Sequence, residues 1–271
     1  MSFEPLPFSP SKKTNQSTYI EIPDSINVTP HNHFLAFLRY ATFTIGGVLA
    51  LFWILTSGVA YMIPYLPPES DQWMAPLGEA YIRDLKQKHE VVDCPTYTTM
   101  LKELSPHMSN PPKVKMEVYQ GLGDTLNAYA LPGGKIVLYE ALMKELKEAD
   151  ARRFVLAHEM GHVYHRHSLQ AVGKLLIVWG LITPATVIFP QARNLLEGLL
   201  NVSSMQYSQE KELEADRYAI GLLTKAGHNP RAGIEVFEIL KKATEGNPTP
   251  DSLRTHPPDE TRIEQIKALT H

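Results

Sequence analysis

The sequence predicts an α+β fold: a mainly helical domain with a small β-sheet, preceded by one transmembrane helix. Three observations predict it. Apolar residues recur at helical spacing in several separated stretches. Short stretches around residues 114–118 and 127–139 alternate or flank a Pro-Gly-Gly turn, as strands do. Residues 41–63 run for 23 positions without a charge.

Residues 1–40 read as a flexible N-terminal tail, the first 32 carrying many Ser, Thr, Asn and Pro. Residues 41–66 read as a membrane anchor. At ~1.5 Å per residue a helix of that length crosses the ~30 Å hydrocarbon core. Tyr40, Tyr61 and Tyr65 lie near its ends, where interfacial aromatics collect. The apolar run starts too late for a cleaved signal peptide. Lys12, Lys13 and Arg39 precede it, whereas Glu69 and Asp71 follow before the first cation, Arg83. The bias of basic residues places the N-terminus in the cytoplasm and the following domain on the exported side, which in a Gram-negative bacterium is the periplasm. The chain is expected to be single-pass, with the lipid bilayer as one partner.

Residues 67–271 form the expected domain, entered through the stiff Tyr65-Leu66-Pro67-Pro68 link. Trp73, Leu77, Tyr81 and Leu85 recur at helical spacing and read as a core-facing stripe. Val114, Met116 and Val118 alternate as in a strand. Asn127–Ala130 and Lys135–Tyr139 flank Leu131-Pro132-Gly133-Gly134, a turn. A helix is expected from about Glu140 to Glu148, with Asp150 as N-cap of the next. Another runs from Gln206 to Lys225 and stops near Gly227. Asn229-Pro230 opens a further helix, and a last one covers Asp259 to Leu269.

The 26 basic and 29 acidic residues give a net charge of −3, which supplies no electrostatic footprint for nucleic acid. One cysteine, Cys94, rules out an intrachain disulfide and reads as a small buried hydrophobe.

The chemistry starts at His158-Glu159-Met160-Gly161-His162. Positions i and i+4 of a helix share a face, so two imidazoles can bind one zinc ion. The glutamate between them can reach a water beside that ion. Catalytic zinc takes three protein ligands and keeps a position open. A continuation with Gly and His at the next three-residue steps is absent, because position 165 is His and position 168 is Ser. Glu212, four residues before Asp216 on one helical face, is one candidate third ligand, with Asp216 accepting a hydrogen bond from a ligand imidazole. His165 and His167 are the others. Glu210 and Glu214 project elsewhere and read as solvated surface charges.

These segments resemble the HtpX-like and CAAX-prenyl-protease-type family of membrane-associated zinc metalloendopeptidases. The resemblance rests on Asn127 to Leu138, Leu156 to Ser168, Ser208 to Ala219, and Thr255-His256-Pro257-Pro258 with Arg262-Ile263. It spans about residues 70–271, in the family's order, and implies a zincin-type metalloprotease domain. It also implies that Glu212 is the zinc ligand, beside His158 and His162. Unlike the HtpX branch, this chain has one clear span.

The expected activity is hydrolysis of peptide bonds with one zinc ion per chain, Glu159 as general base and polypeptides as substrates, in protein quality control at the membrane. The segment Asn127, Ala128, Tyr129 and Ala130 is the candidate substrate-binding strand. His256 is the candidate oxyanion donor, and Arg262 is expected to pair with a carboxylate. The alternative is a membrane-anchored chaperone or adaptor that keeps the fold without turnover, for which a general base has no use. A second apolar stretch, residues 175–189, separates the histidines from Glu212. One membrane crossing there would part ligands that must meet at one ion, so it is expected to pack into the domain or dip into the bilayer face.

Overall fold

The computed structural model describes residues 30–62, 65–67, 70–172, 207–244, 256 and 260–270. The expectations for residues 1–29 and for the apolar stretch 175–189 lie outside them. By internal contacts the chain divides into Met1–Leu51 and Phe52–His271.

Helix α1 runs from Pro30 to Met62. It therefore includes residues 30–40, expected as tail. Proline suits a first helical turn, because its missing N–H has no intrahelical acceptor there. Phe34, Leu35, Phe37 and Leu38 carry the apolar character ahead of the uncharged run and are exposed. His33–Leu55 is long and apolar enough to cross a membrane, with a mean hydropathy of 1.6.

Helices α2 (Ser70–Trp73) and α3 (Ala75–Gln87) break at Met74. α3 buries Gly78, Ile82 and Leu85. Trp73 and Leu77, expected in the core, are 73% and 43% exposed. The short strand β1 (Val91–Asp93) and helix α4 (Pro95–Leu104) follow. β2 is Glu117–Gly121, beginning three residues later than the alternation from Val114 suggests. β3 (Ala128–Leu131) and β4 (Lys135–Tyr139) form the expected hairpin. Its turn needs glycine: Gly133 and Gly134 both have φ of +74°, and a Cβ at Gly133 would lie 2.5 Å from the Ala75 Cα.

The sheet order is β1-β2-β4-β3, with β2 and β4 parallel and the outer pairs antiparallel. Among the described residues β3 is thus an edge strand. Glu117 and Lys135 stand opposite each other on β2 and β4, and their side chains join at 2.5 Å. Hydrogen bonds from Lys115 and Lys135 hold the Glu117 carboxyl down at about 2. A depressed carboxyl adds stability above its unfolded pKa and loses it as pH falls through the folded value. Glu117→Gln should therefore cost about 1–2 kcal/mol near neutral pH, after allowance for partial exposure. The difference should vanish between about pH 4.5 and 2. Urea titrations of both proteins across that range test this, and a pH-independent difference would refute the pairing.

Helices α5 (Glu140–Glu145), α6 (Ala149–Tyr164), α7 (Gln209–Ala226), α8 (Gly233–Thr244) and α9 (Glu260–Leu269) complete the described fold. Asp150 is not the N-cap of α6. Glu148 holds that place, and Asp150 lies in the first turn. Its carboxylate instead accepts from the Asn229 N–H and from Arg153, tying α6 to the segment before α8. α7 ends on Gly227 in the left-handed conformation, with the His228 N–H returning to the Leu223 carbonyl, as helix stops commonly do.

α6 packs against β3, α7 and α8, and every residue from Phe154 to Val163 is buried. Gly161 brings α6 close to α7. A Cβ there would sit 3.0 Å from the Ala215 Cα. Gly161→Val should push the helices apart and cost about 1–3 kcal/mol through overpacking. A thermal melt unchanged from the parent would refute the close approach.

Candidate metal centre

α6 places His158 and His162 one turn apart on the side that meets α7, and α7 presents Glu212 and Asp216 with the same spacing. All four side chains are buried, with His162 and Asp216 at 0% exposure. The two imidazole Nε2 atoms are 3.0 Å apart. Glu212 lies 3.5 Å from each, through Oε2 to His158 and Oε1 to His162. Donors bonded to one tetrahedral zinc at ~2.0–2.1 Å stand roughly 3.3 Å from one another. The donor set and its spacing fit a divalent cation.

Asp216 sits behind His158, its Oδ1 2.8 Å from Nδ1. Arg262 from α9 holds Asp216 at 2.6 and 2.8 Å and reaches Glu212 at 2.8 Å, which fulfils its expected pairing with a carboxylate. Burial draws the His158 imidazole down, but the Asp216 and Glu212 carboxylates outweigh it and lift it to about 9. A cation must displace that proton, so its affinity rises with pH. Burial raises Glu212 and Asp216, but His256 and Arg262 for the first, and Arg262 for the second, carry both below the usual carboxylate range. Burial holds His162 well below its ordinary value, so its ring is neutral.

Glu159 faces the same space from α6. It is 1% exposed, and its Oε2 has no hydrogen-bond partner. Burial raises its carboxyl against the pull of His256 and His158. His256 joins the cluster, its Nδ1 3.0 Å from both oxygens of Glu212 and its Nε2 3.7 Å from Glu159 Oε1. One ligand atom each from His158, His162, Glu212 and His256 lies within 4.8 Å of the others.

The remaining expectations divide. Asn127 and Ala128 line a cleft that opens beside His158 and Glu159 and is walled by Leu142, Phe154, Val155, Val236, Phe237 and Leu240. Tyr129 packs with Ile82, Leu85 and Val137, and Ala130 with the main core. His167 is not in the ligand cluster. Its Nδ1 meets the Nδ1 of His162 at 2.8 Å, and its Nε2 meets Glu214 Oε2 at 3.1 Å. Glu214 is therefore no mere surface charge: from α7 it points back toward α6. Burial, then Lys211, hold the His167 imidazole down at about 3. His165 caps the end of α6 and stacks on His167.

Sequence reasoning missed Tyr207, whose ring stacks on His162 at 4.2 Å and 19°. Burial, with the charges of Glu159 and Glu212, pushes its hydroxyl well above the ordinary range. The available signal was its place just before the Ser208 cap, where an apolar residue commonly fixes the chain's entry into a helix.

Comparison with known proteins places this arrangement. A model of peptidase family M48 matches residues 96–270. The β-barrel assembly-enhancing protease of Escherichia coli is 28% identical over 202 residues, covering 69% of this chain and 42% of that protein. Mitochondrial metalloendopeptidase OMA1 of Arabidopsis thaliana is 33% identical over 140 residues, covering 51% and 28%. OMA1 of Schizosaccharomyces pombe is 30% identical over 157 residues, covering 57% and 46%. The chain thus spans less than half the length of these curated relatives. With a match that takes in the α6 histidines, Glu212 and Arg262, the chain belongs to peptidase family M48.

Proposed function

We propose that this chain is a membrane-anchored zinc metalloendopeptidase, with His158, His162 and Glu212 as the metal ligands and Glu159 as the general base. The observation that carries it is the convergence of three donor groups, 3.0–3.5 Å apart, beside a buried carboxylate oxygen with no partner. A zinc ion held by His158, His162 and Glu212 would supply Lewis acidity to the site. Glu159 takes the proton of the attacking water through its free Oε2 and passes it to the leaving amine. Asp216 holds the ring of His158, and Arg262 holds Asp216.

The Nδ1–H of His256 is directed at Glu212, so donation to a developing oxyanion from Nε2 requires the protonated ring. β3 supports an extended substrate: it is an edge strand whose start, at Asn127 and Ala128, borders the cleft. A peptide pairing there would be gripped by its backbone. The substrates proposed are therefore polypeptides, in quality control at a membrane that α1 reaches. The chaperone or adaptor alternative leaves Glu159 without a task, since burying a carboxylate oxygen with no hydrogen-bond partner weakens a fold.

The test uses the full chain in detergent micelles. Metal content, and cleavage of casein and of a quenched peptide with a central Phe or Leu, are measured before and after chelation. About one zinc per chain, cleavage lost on chelation and restored by zinc, is the expected result. A chain that binds zinc yet cleaves neither substrate would favour the adaptor reading.

A further inference from the structure

His162 and His158 are both turned toward the candidate metal, but their backs differ. His158 Nδ1 meets a carboxylate directly. His162 Nδ1 meets another imidazole, that of His167, at 2.8 Å. Two ring nitrogens at that distance share one hydrogen, so one must donate and the other accept. His162 Nε2 faces the cluster, 3.0 Å from His158 Nε2 and 3.5 Å from Glu212, and a metal ligand needs its lone pair there. The hydrogen of neutral His162 is then on Nδ1, and His167 Nδ1 accepts it. That choice forces the hydrogen of His167 onto Nε2, where Glu214 Oε2 accepts it at 3.1 Å. Each atom in the chain Glu214–His167–His162 has one consistent role. His162 and His167 are 0% and 1% exposed, so water does not compete for these bonds.

We propose that His167 is a positioning residue: backed by Glu214, it fixes the tautomer and ring angle of His162 for metal binding. The proposal rests on the reading of His158, His162 and Glu212 as metal ligands. Glu214 and Asp216, two residues apart on α7, then serve the two α6 histidines separately, Asp216 in contact and Glu214 through a neutral ring. Such outer partners raise the donor strength of the imidazole and hold it in place. A competing use of the same residues is a second metal site, because ligand atoms of His165, His167 and Glu214 also lie within 4.8 Å of one another. That use needs the lone pair of His167 on Nε2, which would set two N–H groups against each other at the His162–His167 contact.

The experiment measures zinc stoichiometry and affinity of the detergent-solubilised full chain by competition with a chromogenic chelator. The visible spectrum of the cobalt-loaded protein is a second readout. His167→Leu removes both bonds. His167→Asn keeps an acceptor near the Nδ1 position. Glu214→Ala removes the end of the chain at a part-exposed side chain, and Glu210→Ala is the exposed control on the same helix. One zinc per chain is expected in the parent. Affinity should fall about 10–100-fold in His167→Leu, recover most of that loss in His167→Asn, and fall a few-fold in Glu214→Ala. The cobalt spectrum should shift in His167→Leu and stay fixed in Glu210→Ala. Parent-like affinity in His167→Leu, equal losses in the Leu and Asn variants, or two zinc ions per chain would each overturn the proposal. If His167→Leu does not fold, Glu214→Ala decides against Glu210→Ala, and equal affinities overturn it. A parent chain that binds no zinc would instead overturn the metal-centre reading.

Discussion

Glu159→Gln should lower kcat by about 10²–10⁴-fold while the protein keeps its metal and its fold. The substitution preserves shape and removes only the group that can take a proton. None of the three proposed ligands changes, so metal content stays at the parent level. The effect on stability should run the other way. Glu159 is 1% exposed and its Oε2 has no partner, so the carboxylate is held in place at a cost. Burial raises its folded pKa above the unfolded value. For an acid shifted upward, the ionised form weakens the folded state at every pH above the unfolded pKa. A neutral amide removes that penalty, and Tm should rise or hold. Turnover of a quenched peptide, metal analysis and a thermal melt give the three readings. Parent-like kcat would remove Glu159 from the reaction, and a clear drop in Tm would contradict the account of its burial.

Arg262→Met should destabilise the fold by about 3–5 kcal/mol. The guanidinium is 2% exposed and bonds Asp216 twice and Glu212 once. It also lies 4.4 Å from the centre of the Phe237 ring. Methionine fills much of the stem's volume and returns none of the donors. Two buried carboxylates then lose their common cation, the costly way to break a buried ion pair. Arg262→Lys should recover only part of the loss, because one ammonium cannot present two parallel N–H groups to Asp216 while reaching Glu212. Urea denaturation of the three proteins measures both effects. A loss below about 1 kcal/mol for Met would show that the carboxylates find other partners. The metal should also bind more weakly, since Asp216 would no longer be held behind His158.

Much of this protein was legible without coordinates. The i, i+4 spacings of His158 with His162, and of Glu212 with Asp216, are local facts. A helix fixes which side chains share a face within one turn, so these pairs followed once the helices were recognised. The β3–β4 hairpin followed from Gly133 and Gly134, because only glycine accepts that turn comfortably. The long apolar helix α1 followed from the length of the run and the absence of charge. Other local readings failed where a neighbour intervened. The Trp73–Leu85 stripe assumed one unbroken helix; the chain breaks at Met74, and α3 buries Gly78, Ile82 and Leu85 while Trp73 and Leu77 are exposed. β1 spans three residues, too few for alternation to register.

The sequence raised an imidazole on Asp216 and a carboxylate on Arg262 as expectations; which ring and which carboxylates meet, far apart in sequence, only the tertiary structure decided. Arg262 meets Asp216 across 46 positions, His158 meets Asp216 across 58, and His256 meets His158 across 98. Glu214 reads as a solvated charge on its own helix. It becomes the terminus of a hydrogen-bond chain only because Gly161 lets α6 and α7 pack close enough for His167 to reach it. The periodicity of one helix specifies its own faces. It carries no information about which residue of another helix fills the space opposite, and that pairing orients the imidazoles and settles the fate of the buried charges.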